Sequence, residues 1–305
     1  MTSLPETPMP DAQSYLLPSR AYLLSLRDQN LPLRRAALED AEQQFTAVAG
    51  SDLHETQLAV VAVIGETLQI LEDIAALANS FFASPQGVAF FATAASYSTR
   101  AVNNFYSSFK RRALADVLAL LGMRFGTVRT EDLFIIDPPF TEAERSAIDE
   151  AHTATARLVR EHLLRLAVEW ERYRRFFHAY KHGLLVVNPS DGGMIDDRTT
   201  PVEGIVVWAR RRANATGGGI IEPPYEETVD YIGQLGRLAL DLVEHLVESR
   251  LRIFDLIDLK PDGSWTSQPL RTTPWLWWFH ERDISVEARE LLSHRFGLAF
   301  EPDLG

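Results

Sequence analysis

The chain has 305 residues, 46% of them hydrophobic and 24% charged, with a formal charge of −12 and no cysteine. That length can bury a full core as one large domain or two smaller ones, and the composition excludes wholesale disorder. The missing cysteines exclude disulfides, thiolate zinc sites and cysteine nucleophiles, and the acidic balance disfavours long-range attraction to nucleic acid or an anionic membrane.

Residues 1–13 contain Pro and Ser and read as a flexible leader. The start of the chain lacks the basic residues and apolar run of a signal peptide, which implies a cytoplasmic protein. The longest apolar stretches, Leu58 to Ile64 and Val88 to Ala95, fall short of the roughly 20 residues that span a bilayer. A first helical region is expected from about Ser19 to Ala49, broken at Pro32 because proline lacks the N–H of a helix interior. Ser51 or Asp52 then caps a second helix, in which Leu58, Val61, Leu68, Leu71, Ile74 and Leu77 recur at three- and four-residue intervals.

After Pro85-Gln86-Gly87 a third region runs to about Leu121. Gly122, Gly126 and Pro138-Pro139 bracket a loop in which Leu133 to Ile136 reads as a short strand. Thr141-Glu142-Ala143-Glu144 is a capping box directly after the prolines. From there an apolar pattern through Ile148, Leu158, Leu163, Leu166, Val168, Trp170 and Phe177 continues to Gly183. A helix of that length is about 60 Å long. Gly183 to Val187 and Gly204 to Trp208 are β-prone, and the Gly- and Asp-rich loop between them suggests a hairpin. Pro223-Pro224 introduces another long helix through Leu235, Leu238, Leu242, Leu246, Ile253 and Ile257. The tail crowds Trp265, Trp275, Trp277, Trp278 and Phe279 together before a small helix from Ser285 to His294. Tryptophans at this density are expected to fold over the bundle as a cap.

The expected fold class is therefore mainly α: a helical bundle with two long helices, a small β-hairpin insertion and an aromatic-rich C-terminal cap. The bundle covers residues 14–260, with the insertion at about 183–222, and the cap covers 261–305.

Several catalytic signatures are missing. No Walker loop, Gly-x-Gly-x-x-Gly, Gly-x-Ser-x-Gly or His-Glu-x-x-His occurs, and paired Glu-x-x-His motifs of di-iron bundles are absent. The chemistry-bearing groups gather instead at the end of the long helix, in Arg172-Tyr173-Arg174-Arg175-Phe176-Phe177-His178-Ala179-Tyr180-Lys181-His182-Gly183. At about 100° per residue, Glu171, Arg175, His178 and His182 form one stripe, with Arg174 beside it.

Three readings fit this stripe. Lys181, His182 and Gly183 can be an ordinary helix stop, with cations against the unpaired carbonyls and glycine in the left-handed cap. Arg172, Arg174 and Arg175 then pair with Glu169, Glu171 or a neighbouring helix. Alternatively, Arg175 and His182 enclose six residues, and Arg172 and His178 enclose five. This spacing resembles the Arg-x4–6-His motif of the HEPN superfamily, helical-bundle proteins common in bacterial conflict systems.

The resemblance implies a dimer that brings the motifs of two subunits around a cleft, and RNA binding or metal-independent RNA cleavage. His182 would be the acid/base and Arg175 the phosphate ligand, with Arg174, His178 and Lys181 as substrate-binding helpers. The chemistry fits: a histidine near neutrality moves protons, and an arginine fork holds phosphate. Third, His178 and His182 are spaced for a metal, with Glu171, His54, His152, His162 or His245 as further ligands.

The leading expectation is a non-enzymatic interaction module whose long helices pack with a protein partner or a second copy. The HEPN-like RNA reading and a metal-binding bundle are its alternatives. No cofactor and no membrane association are expected, and whether the chain is an enzyme stays open.

Overall fold

The computed structural model describes residues 20–50, 53–83, 98–125, 128–130, 134, 136–181, 185–187, 205–211, 215–221, 224–255, 257–259, 265–267 and 275–300, with only the backbone described in the strands beyond residue 181. The structure is mainly helical. The helices are α1 (Leu31–Val48), α2 (Leu53–Ala83), α3 (Thr99–Phe109), α4 (Leu114–Leu120), α5 (Glu142–Lys181), α6 (Tyr225–Asp255) and α7 (Val286–Phe296). Among the described residues no helix is long and apolar enough to cross a membrane.

At the centre stands α2. It is apolar on most of its circumference, with Val60, Val63, Ile64, Leu68, Leu71, Ile74 and Ala78 all buried. A helix of that kind needs neighbours all round it. It packs against α1 and α6, and also against α3, α4 and α5.

The expected break at Pro32 does not occur. The chain is helical from Arg20, passes through a π-helical segment at Leu26–Asn30 and enters α1 directly. The Leu31 N–H bonds to the Leu26 carbonyl five residues back, and Pro32 falls in the first turn of α1. There its missing N–H interrupts nothing, because the wider π turn has already shifted the hydrogen-bond register.

Close approach between α1, α2 and α6 depends on two glycines. A Cβ on Gly236 would lie 2.7 Å from Leu38 Cδ2 and 2.9 Å from Thr67 Oγ1, and one on Gly233 would collide with Glu42 Oε1. Across the same contact the Thr67 hydroxyl donates to the Ile232 carbonyl at 3.2 Å, and Arg237 Nη1 bonds both Glu42 oxygens at 2.6 and 2.7 Å. Alanine is the better helix former by about 1 kcal/mol, yet Gly236→Ala is expected to destabilise by about 1–3 kcal/mol through overpacking. A thermal melt checks the sign, and an unchanged or higher Tm would show that Leu38 yields instead.

The long helix α5 begins where its capping box lies. Thr141 N–H donates to Glu144 Oε2 at 2.7 Å, and Glu144 N–H donates to Thr141 Oγ1 at 3.2 Å. Its buried face carries Ile148, Leu163, Leu166, Trp170 and Phe177, whereas Val168, expected in the same pattern, is turned outward and 50% exposed. Trp170 Nε1 donates to Asn103 Oδ1 at 2.9 Å, and its ring stacks on Tyr106 with centroids 5.3 Å apart. The Tyr106 hydroxyl donates to the Leu71 carbonyl at 2.6 Å, so one tyrosine ties α3 to both α2 and α5.

The described part of the expected third region resolves into α3 and α4, parted at Lys110–Ala113, and its start at 88–97 lies outside the described residues. Phe134 and Ile136 are not in a strand; the short strands of this region are Arg124–Phe125 (β1) and Val128–Arg129 (β2). Further on, β3 (Leu185–Val187), β4 (Ile205–Arg211) and β5 (Ala215–Ile221) pair antiparallel in that order, with Leu185 opposite Val207 and Ile205 opposite Ile221. The rest of the expected insertion at 183–222, the leader 1–13 and the cap at Ser51 or Asp52 lie outside the described residues. Helix α6 stops at Asp255, and Ile257 belongs to β6 (Ile257–Leu259), which pairs antiparallel with β7 (Trp265–Ser267).

Three helices are long, α2 as well as the expected α5 and α6, and Trp275, Trp277 and Trp278 lie against histidines of the last two. His152 on α5 meets Trp275 edge-on at 4.6 Å, while Trp278 sits 5.0 Å from His162 of α5 and 5.2 Å from His245 of α6. Ser285 then caps α7 and bonds Glu150 through both its N–H, at 2.6 Å, and its hydroxyl, at 3.0 Å. Burial, with lesser repulsion from Arg129, pushes the His152 pKa down to about 3; burial, with Arg252, pushes that of His245 down to about 4.

Candidate functional site

The last three turns of α5 are held by aromatic side chains: Trp170, Tyr173, Phe176 and Phe177 are all buried. Four anchors within eight residues leave the intervening positions facing outward or toward neighbouring helices. The polar groups therefore sort by direction.

Arg175 and His178, one turn apart, are exposed. Arg172 is exposed as well; its Nη1 lies 3.8 Å from Glu169 Oε2, and its guanidinium lies over the Tyr173 ring at 5.2 Å. Arg174 is half-buried and its Nη2 pairs with Glu171 Oε2 at 3.1 Å. These two i,i+3 pairs are the ordinary arrangement of a charged helix face.

Lys181 has a different role from its neighbours. Its ammonium lies 4.4 Å over the Phe177 ring and pairs with Glu72 of α2. Glu72 is 1% exposed, so this is a deeply placed carboxylate matched by a cation from the end of another helix. Gln69 Nε2 adds a bond to Glu72 at 3.3 Å. Of the residues expected to act together, Arg175 and His178 share an exposed face, Arg174 is tied locally, and Lys181 is joined to the core. His182 lies outside the described residues, so its geometry relative to Arg175 is not described.

The histidines expected as further metal ligands are elsewhere. His152, His162 and His245 contact the C-terminal tryptophans, and His54 is exposed at the start of α2. Among the described residues no group of three or more His, Asp or Glu side chains is placed to hold a metal.

Sequence reasoning missed Glu72 and Asp73. The signal was present: two adjacent carboxylates interrupt the apolar run Ile70-Leu71-Glu72-Asp73-Ile74 of the central helix. A charge at such a position requires a partner from another element. Lys181 supplies it for Glu72, and Arg34 of α1 supplies it for Asp73, with Nε 2.8 Å from Oδ2.

Comparison with known proteins finds no family model, no curated protein and no solved structure that matches this chain.

Proposed function

We propose that the protein is a non-enzymatic helical interaction module whose long helix α5 presents the contact face. One observation carries this reading: Arg165, Val168, Arg172 and Arg175 are all exposed at helical spacing, and Val168 is 50% exposed. Residues at i, i+3, i+7 and i+10 form one ridge. It is a basic, partly apolar ridge on a chain of net charge −12, so an acidic protein surface, including that of a second copy, complements it. The expected result is a complex or dimer, seen by light scattering, that weakens at least tenfold in Arg172→Glu/Arg175→Glu and in high salt. A strictly monomeric chain with no salt-sensitive partner would remove the basis for the reading.

The HEPN-like alternative is favoured by one observation, the shared exposed side of Arg175 and His178. It predicts cleavage of single-stranded RNA in the presence of chelator, reduced at least a hundredfold by Arg175→Ala. Intact RNA across a broad panel counts against it. RNA bound but not cleaved supports an inactive binding form of the same family. Lys181→Ala is the wrong control, because loss of its contact with Glu72 disturbs the fold.

A further inference from the structure

A cavity of about 270 Å³ opens between the first helical stretch, α2 and α6, away from the ridge of α5. Its walls are apolar, made by Leu31, Ile70, Leu77, Leu240 and Val243. Its rim carries Leu26 and Asn30 of the π-helical segment, a form of helix that recurs at functional sites. Leu33 also lines it and is 68% exposed, the most exposed of the large hydrophobic residues described. One end is polar, with Tyr22, Arg34 and Asp73.

The charges at that end are unequal. Arg34 pairs with Asp73 at 2.8 Å and also lies 3.9 Å from Glu66 Oε2, so two carboxylates share one guanidinium. Glu72, though matched by Lys181, adds its negative charge to the field at Asp73. Asp73 is about one-third exposed, with Gln69 Nε2 on its other oxygen at 3.3 Å. A carboxylate has about four lone-pair sites, so acceptor capacity is left over. The local excess is therefore negative, at the end of an apolar cleft, beside an aromatic ring.

We propose that this cleft binds a small amphipathic organic amine, its apolar body between α2 and α6 and its ammonium on Asp73 beside the Tyr22 ring. The volume corresponds to roughly nine waters at liquid density, so the ligand is one ring or a short branched chain. A carboxylate ligand is disfavoured because Arg34 is already shared between two acids. Charge-assisted hydrogen bonding to Asp73 supplies the specificity for a cation. The site goes beyond the interaction reading and does not depend on it.

The test uses the full chain and three probes, 2-phenylethylamine, 2-phenylethanol and 3-phenylpropionate, titrated by NMR. The amine is expected to saturate with a dissociation constant between high micromolar and millimolar, at least tenfold tighter than the alcohol, with the carboxylate weakest. Asp73→Asn should reduce amine affinity to that of the alcohol and leave the alcohol unchanged, which also reports an intact cleft. Arg34→Gln should act oppositely and tighten the amine severalfold by releasing Asp73. Equal binding of amine and carboxylate, or no saturable binding of the amine, overturns the proposal. So does a loosening by Arg34→Gln. None of these results bears on the α5 ridge, whose variants are separate.

Discussion

Acidification from about pH 7.5 to about pH 5 is expected to cost the fold on the order of 4 kcal/mol through two histidines alone. His152 and His245 are buried, and the Nε2 atom of each lacks a hydrogen-bond partner among the described residues. Their folded pKa values of about 3 and about 4 lie below the ordinary 6.5. Below 6.5 the unfolded chain takes up protons that the folded chain refuses, so stability falls as pH falls. The loss continues until each folded pKa is reached. At about pH 5 each histidine accounts for roughly 2 kcal/mol. His162, lowered mainly by burial, acts in the same direction. Asp73, raised by burial against the pull of Arg34, acts in the other.

Against a typical stability of about 5–15 kcal/mol this is a large fraction. Urea unfolding followed by tryptophan fluorescence at the two pH values measures it, since Trp275 and Trp278 touch these rings. His152→Phe keeps an aromatic ring against Trp275 and removes one titration, so it should shed about half of the pH dependence. A wild-type midpoint that does not move between the two pH values would falsify the assignment.

The second large effect belongs to Lys181. Lys181→Met should destabilise the protein by about 2 kcal/mol. Removing one partner of a buried pair costs about 3–5 kcal/mol, and the value is reduced here because Lys181 itself is 37% exposed. Glu72 would keep Gln69 and would have to take up a proton or remain charged in the core. Adding Glu72→Gln to Lys181→Met removes the stranded charge and should recover at least half of the loss. A double variant no better than the single would mean that packing over Phe177, and not charge, makes Lys181 important. The same experiment bears on function, since it separates a lysine that holds α5 to α2 from one that meets a ligand.

Much of the bundle was legible in local pattern. The start of α5 is written in Thr141 and Glu144, whose reciprocal bonds form as the capping box implies. Its core face follows from the spacing of Leu163, Leu166, Trp170 and Phe177, all buried. Three features were not legible, each for a physical reason. Proline rules describe an α-helix interior, and the π turn at Leu26–Asn30 moves Pro32 out of that context. The partner of Lys181 is 109 residues away, a distance over which helical periodicity carries no information. The cleft around Asp73 draws on three separate segments, so no single motif announces it. The stripe at Arg175 was legible as a face, but sequence spacing could not say that Lys181, expected as a substrate-binding helper, pairs with Glu72 instead.

The π-helical turn has a further consequence for how this chain tolerates change in length. Each residue of an α-helix rotates the chain by about 100°. Removing one residue from Leu26–Asn30 would take out the wide turn and swing everything before it by about a quarter turn. Tyr22 would then leave the wall it shares with Asp73, while Pro32 would move into a true helix interior. Five residues thus act as a phase setting between the first turns of the chain and the rest of the bundle. A deletion there is a rotation, and a substitution is not.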